Sequence, residues 1–293
     1  LAPYGDPQRH LPTMRELVKL DGTLFELGLD FFVHHKEGVD MTWDEQTPTI
    51  GRLYSDRMEA AFGPAREPRT ELAKQHEDVA AALQAMLEEA YLHLVREAQT
   101  DIRRSLDSGA TVVQIDFTEG RLAVKLDPST NLLNSFVDLN NRVLAPFSAE
   151  ERRRLGVHTC PGGDQDSTHS ADVDYARLLP YLFRLTVGNF YVQLASEKDR
   201  PRVLRILGEH ARSDRRIFVG VTDPIDPTVE TAEEVRDRVL EAASVIDPNN
   251  LGTTDDCGFS PFGDDTSTSR DTAFAKIRAR VAGTEMASRE LGL

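Results

Sequence analysis

The chain has 293 residues, 40% of them hydrophobic, with a formal charge of −15 and a pI near 5.0. That balance argues against a nucleic-acid partner, because a phosphate-tracking surface needs Lys and Arg clustered on a net basic face. No uninterrupted apolar stretch approaches the roughly 20 residues of a membrane helix, so the expectation is an acidic, soluble, cytoplasmic protein with no membrane partner.

In chain order, residues 1–69 carry six prolines and one compact apolar run, Leu24 to Val33, and predict an irregular segment. Residues 70–107 predict one long helix, with Val79, Met86, Tyr91, Ala98, Ile102 and Leu106 among the apolar positions at helical spacing and no Gly or Pro between them. Beyond it, β-rich runs occur at Thr111 to Phe117, Gly156 to Cys160, Phe190 to Ala195, Ile217 to Thr222 and Leu251 to Thr254. Each has the length of a buried parallel strand. Helical patterns lie between them. Ser148-Ala-Glu-Glu151 and Thr231-Ala-Glu-Glu234 read as capping boxes, in which the hydroxyl accepts from the third helical amide and the glutamate reaches back. After the second, Val235, Val239, Leu240 and Ala243 share a face. In the last helical segment, Asp271 to Val281, the apolar positions Phe274, Ile277 and Val281 do the same, and are expected to pack on the barrel.

Strands alternating with amphipathic helices imply right-handed βαβ units and a parallel sheet or barrel. Polar residues gather where each run ends: Asp116 and Glu119, His158 and Cys160, Glu197, Asp223 and Asp226, then Asp255, Asp256 and Cys257. One rim therefore collects the reactive groups, as in a (β/α)8 TIM barrel. An open doubly wound sheet would offer the same rim, but there is no Gly-x-Gly-x-x-Gly turn to suggest a dinucleotide fold. The organisation expected is residues 1–69 as an irregular segment contributing to the barrel, and 70–293 as the barrel's catalytic region.

The chain has only two cysteines. As small buried hydrophobes they would be unexceptional, and a disulfide would need an oxidising compartment. The third reading is a metal site. In an extended strand residues i and i+2 point the same way, so His158 and Cys160 can present an imidazole and a thiolate to one ion, with Cys257 as a third donor. Those donors suit zinc.

The segments Gln114-Ile-Asp-Phe-Thr-Glu119, Gly156-Val-His-Thr-Cys160, Phe190-Tyr-Val-Gln-Leu-Ala-Ser-Glu197 and Asp255-Asp-Cys-Gly-Phe259 resemble the catalytic half of cobalamin-independent methionine synthase, in order and approximate spacing. The likeness runs from about residue 90 to the C-terminus, roughly a domain's length. The longer stretches His158 to His169 and Cys257 to Ser267 resemble a single-barrel, methionine-synthase-like branch of that family. The resemblance implies a zinc-bearing barrel that moves a methyl group from a folate donor to homocysteine sulfur. It also implies a fourth, carboxylate ligand from the third strand. There the matching register holds Gln193, so Glu197, four residues on, is the expected ligand, with Gln193 left for substrate. Asp116 matches an aspartate that contacts the substrate amino group, with Glu119 nearby. Asp223 occupies a strand end where the family often continues with a histidine, here absent, and His169 is the candidate to replace it as general acid. Trp43 is the only tryptophan and could stack on a pterin. Three other chemistries are compatible with parts of the pattern: alkylation of a thiol by an epoxide, a metal-free uroporphyrinogen-decarboxylase-like barrel, and a closed structural zinc site.

Overall fold

The structure is a computed structural model that describes every residue except Thr23, 45–46, Pro68, Thr118, 161–172 and 260–267. The chain divides into two compact units, Leu1–Asp101 and Ile102–Leu293.

In the first unit short elements pair with their immediate neighbours. Helix α1 (Leu11–Leu17) leads into strand β1 (Val18–Asp21), which pairs antiparallel with β2 (Leu24–Leu27) across a turn containing Gly22 at φ 59°. After α2 (His34–Glu37), β3 (Met41–Asp44) pairs antiparallel with β4 (Thr47–Ile50), and α3 (Asp56–Phe62) follows. Leu11, Met14, Ala82 and Met86 form the apolar core, the last two from α4 (Lys74–Asp107). The buried Asp78 carboxylate ties this unit together by accepting from Asp6 N, Arg9 and Lys74.

The long helix is therefore found where predicted, and the described strands within residues 1–69 pair as two antiparallel hairpins. Strands joined by two residues can only pair antiparallel, whereas a parallel partner needs a crossover of a dozen residues or more. The division between the two compact units falls inside α4, at Asp101 and Ile102. With no Gly or Pro to break it, α4 runs on as one helix whose Ile102 and Leu106 enter the core of the second unit.

In that unit every strand predicted from the β-rich runs forms. They are β5 (Val113–Asp116), β6 (Leu155–Thr159), β7 (Asn189–Val192), β8 (Arg216–Thr222) and β9 (Leu251–Asp255). They make one five-stranded parallel sheet in the order β5-β6-β7-β8-β9. A doubly wound sheet reverses its strand order at a switch point. This one never does. The connections carry α5 (Glu119–Leu126), α6 (Asn131–Leu144), α7 (Ala149–Arg152), α8 (Leu179–Leu182), α9 (Arg200–His210) and α10 (Ala232–Ala243), and α11 (Arg270–Leu291) closes the chain. β6 is buried at all its positions, so it is covered on both faces.

Both capping boxes are complete, at Ser148 with Glu151 and at Thr231 with Glu234. The face expected of the last helix is corrected: Phe274 and Val281 are 48% and 50% exposed, and the buried residues are Lys276, Gly283 and Ala287. Gly283 lets α11 approach α10 closely, and Lys276 enters the protein to reach Glu230 Oε2 at 2.9 Å. Small residues and a paired cation thus outcompete an apolar stripe for the contact. Among the described residues no helix is long and apolar enough to cross a membrane.

Candidate metal centre

Because the strands are parallel and in register, their C-terminal residues arrive at one edge. Asp116 of β5 is the register partner of His158 in β6, and Thr222 of β8 that of Asp255 in β9. Strand alternation turns His158 and Cys160 to the same side, and Cys257 follows β9 by two residues. Nitrogen and sulfur atoms of His158, Cys160 and Cys257 lie within 4.8 Å of one another, with the two Sγ atoms 3.0 Å apart. The two cysteines are not joined in a disulfide, and Cys160 is buried.

The electrostatics couple the imidazole to the two thiols. Burial alone would lower the pKa of His158, but its hydrogen bond to Cys160 and the charges of Cys160, Asp116 and Asp256 raise it overall. The hydrogen bond to Cys160, together with burial, pushes the Cys257 thiol well above its ordinary range. Such a cluster invites a cation, which would reverse that shift and hold both sulfurs as thiolates. The imidazole agrees: Nε2 of His158 is buried and has no hydrogen-bond partner among the described residues. An imidazole and two thiols are zinc ligands, and two thiolates neutralise a dication.

Glu197, the expected fourth ligand, is not in this group. Its Oε1 pairs with Arg121 Nη2 at 2.6 Å and accepts from Gln193 Nε2 at 3.1 Å. Burial raises its pKa and the Arg121 charge opposes that. Gln193 is itself buried, donating to Ser196 Oγ at 2.7 Å and accepting from Arg121 at 3.4 Å. Asp116 remains accessible at the rim, with its pKa raised by burial and pulled back by His158. Glu119 is exposed at the start of α5. Asp223 closes its own loop by accepting from Ile225 N at 2.9 Å. His169 and the side chain of Trp43 lie outside the described residues.

Two residues with no role in the sequence reading organise the site. Asp256 is buried and accepts from Leu194 N, Ala195 N, Ser196 N and Ser196 Oγ at 2.7–2.8 Å, binding the end of β7 to the residue before Cys257. Burial nonetheless pushes its pKa up to about 6. Arg121 sits one helical turn before Val124 on the buried face of α5, and that spacing was a readable sign that its side chain points inward.

The second unit is thus an α/β protein of sequentially wound parallel strands, with a metal-ligating trio at the carboxyl edge of its sheet. The family model described as cobalamin-independent synthase, catalytic domain, matches residues 84–280, and the chain belongs to that family. The methionine synthase of Methanothermobacter thermautotrophicus is 24% identical over 231 residues, covering 78% of this chain and 58% of the relative. That of Saccharolobus solfataricus is 23% identical over 198 residues, covering 68% and 51%. The chain therefore spans little more than half the length of the relatives it matches. Among solved structures, a B12-independent methionine synthase from Shewanella sp. W3-18-1, in complex with selenomethionine, superposes with a TM-score of 0.54 at 17% identity, covering 73% of this chain and 60% of that one. A putative B12-independent methionine synthase from Listeria monocytogenes gives 0.50 at 20% identity, covering 68% and 56%. At these identities the superpositions speak for the fold.

Proposed function

We propose that this protein is a zinc-dependent methyltransferase that transfers a methyl group from a folate-type donor to a small thiol such as homocysteine, forming methionine. The observation that carries the reading is the convergence of His158, Cys160 and Cys257 at one strand edge in a chain of the cobalamin-independent synthase family. Sequential strand order supports placing the five parallel strands in a (β/α)8 barrel.

His158, Cys160 and Cys257 would hold a zinc ion, which would supply the Lewis acidity that favours the thiolate form of an incoming thiol at neutral pH. The chain's own groups do the rest. The sulfurs of Cys160 and Cys257 would offset the charge of a dication, which would leave an acceptor sulfur its electron density for attack on the methyl carbon. Asp116, accessible beside His158, is placed to pair with the ammonium of an amino-acid thiol, and Glu119 adds negative charge at the same rim. Gln193, the residue expected at the substrate, is hydrogen-bonded to Arg121, Ser196 and Glu197. The donor's departing nitrogen must receive a proton. His169 offers an imidazole, the side chain type suited to proton transfer near neutral pH, for this, whereas an Asp223 oxygen already accepts from Ile225 N.

Elemental analysis of the purified protein, with X-ray absorption before and after homocysteine, tests the metal half. About one zinc per chain that gains a sulfur neighbour is expected for a catalytic site with an exchangeable position. Zinc that gains none would make the site structural. Methionine formation from homocysteine and methyltetrahydrofolate tests the donor half, and turnover with an epoxide in its place would reassign the electrophile.

A further inference from the structure

We propose that Arg121 is a positioning residue that holds the Glu197 carboxylate off the metal, so that the ion keeps three protein donors and a fourth position open to the thiol. The inference rests on the metal reading above and adds to it a part for a residue outside the ligand set.

Glu197 is carried close to the ligand-bearing segment. Ser196 donates from both N and Oγ to Asp256 Oδ2 at 2.7 Å, Glu197 is the next residue, and Cys257 is next after Asp256. A carboxylate on that clamped turn is a natural competitor for a nearby cation. Instead it faces a guanidinium that is itself only 2% exposed. Arg121 is held on three sides: by Glu197 at 2.6 Å, by Gln193 at 3.4 Å, and by the ring of Tyr175, 4.4 Å below its guanidinium carbon. Tyr175 in turn donates to the carbonyl of Thr159 at 3.5 Å, and Thr159 lies between His158 and Cys160. The latch is therefore built against the backbone of the ligand strand.

Charge favours this arrangement. Two thiolates already balance a dication, so a coordinating carboxylate would leave the site negative and disfavour a third, incoming thiolate. Paired with Arg121, the Glu197 charge is compensated and the ligand set stays neutral. A purely structural ion pair would need none of this, so the test must read the metal itself.

The experiment uses the full chain loaded with cobalt(II), whose visible absorption reports its donors, and titrates homocysteine as the thiol probe. Glu197→Gln should retain the stoichiometry and the cobalt spectrum of the unmodified protein. Arg121→Gln, freeing the carboxylate, should require about tenfold more homocysteine for the same spectral change, as when the competent form of a site falls to a tenth of its population. The double variant should bind homocysteine as the unmodified protein does. Loss of cobalt or a changed spectrum in Glu197→Gln would make Glu197 a ligand and overturn the proposal, and this arm decides even if Arg121→Gln does not fold. A folded Arg121→Gln with unchanged homocysteine affinity, or a double variant as weak as Arg121→Gln, would reduce the pair to scaffold. If cobalt does not bind the unmodified protein, the metal reading and the latch fall together; if it binds and only the arginine arm fails, the latch alone falls.

Discussion

Asp256 receives four hydrogen bonds from the turn after β7 while buried, so removing its carboxylate strands three backbone donors. Asp256→Ala should therefore lower unfolding stability by about 3 kcal/mol, the scale for buried charged hydrogen bonds left unmade. Asp256→Asn keeps one accepting oxygen and should lose less. Urea denaturation of the metal-free protein measures both, and equal stability of all three proteins would remove Asp256 from the scaffold. The same pair of acids shows what a sequence reader can and cannot see. Cys257 was legible because thiols are rare and its neighbours end a strand. Asp255 and Asp256 look interchangeable in the sequence, yet Asp255 pairs with Arg280 at 3.1 Å and Asp256 turns inward. Their difference is set by which backbone amides face them, groups 60 to 62 residues away for Asp256. The Arg121–Glu197 pair was hidden for the same reason.

At the scale of elements, local signals served well and packing signals less so. The Thr231 box needs only residues three apart, and both of its bonds form. Thr231→Ala should cost about 1 kcal/mol by orphaning an N-terminal amide of α10, a change readable as a lowered urea midpoint. The face of α11 depended on a distant partner. A Cβ on Gly283 would lie 2.5 Å from Ala232 O and from Val235 Cβ. Helix propensity alone favours Ala over Gly by about 1 kcal/mol, whereas overpacking a close contact costs about 1–3 kcal/mol. Gly283→Ala is thus expected to destabilise, and a stabilised variant would mean that α11 does not approach α10 so closely. Hydropathy favoured the Phe274 face because it has no term for a glycine that permits contact or for a lysine paired inside the protein.

For the whole molecule, the sequence conveyed winding direction but not closure: β5 to β9 alternate with helices and lie side by side in order, while the N-terminal strands spend their backbone groups on hairpins. Each unit also carries an acid whose strongly depressed pKa links its folding to pH. Asp78, in the first, is held down to about 2 by the Asp6 amide, Lys74 and Arg9. Glu151, in the second, is held down to about 2 by Arg103 and by the Ser148 cap. A carboxyl whose folded pKa is depressed contributes stability above its unfolded pKa and loses it as pH falls through the folded value. The ordinary values are 3.8 for Asp78 and 4.5 for Glu151. Both contributions should thus be intact at pH 6, decline below about pH 4.5, and be gone below about pH 2. Trp43 is the single tryptophan and belongs to the first unit, so its fluorescence follows that unit while far-ultraviolet circular dichroism follows both. Asp78→Asn should lower the urea midpoint seen by fluorescence at pH 6 and flatten its decline between pH 4 and pH 2.5. Glu151→Gln should leave the fluorescence transition in place and move the dichroism transition. If Asp78→Asn kept the full acid dependence of the fluorescence transition, the buried carboxylate would not be the group through which acid acts on that unit.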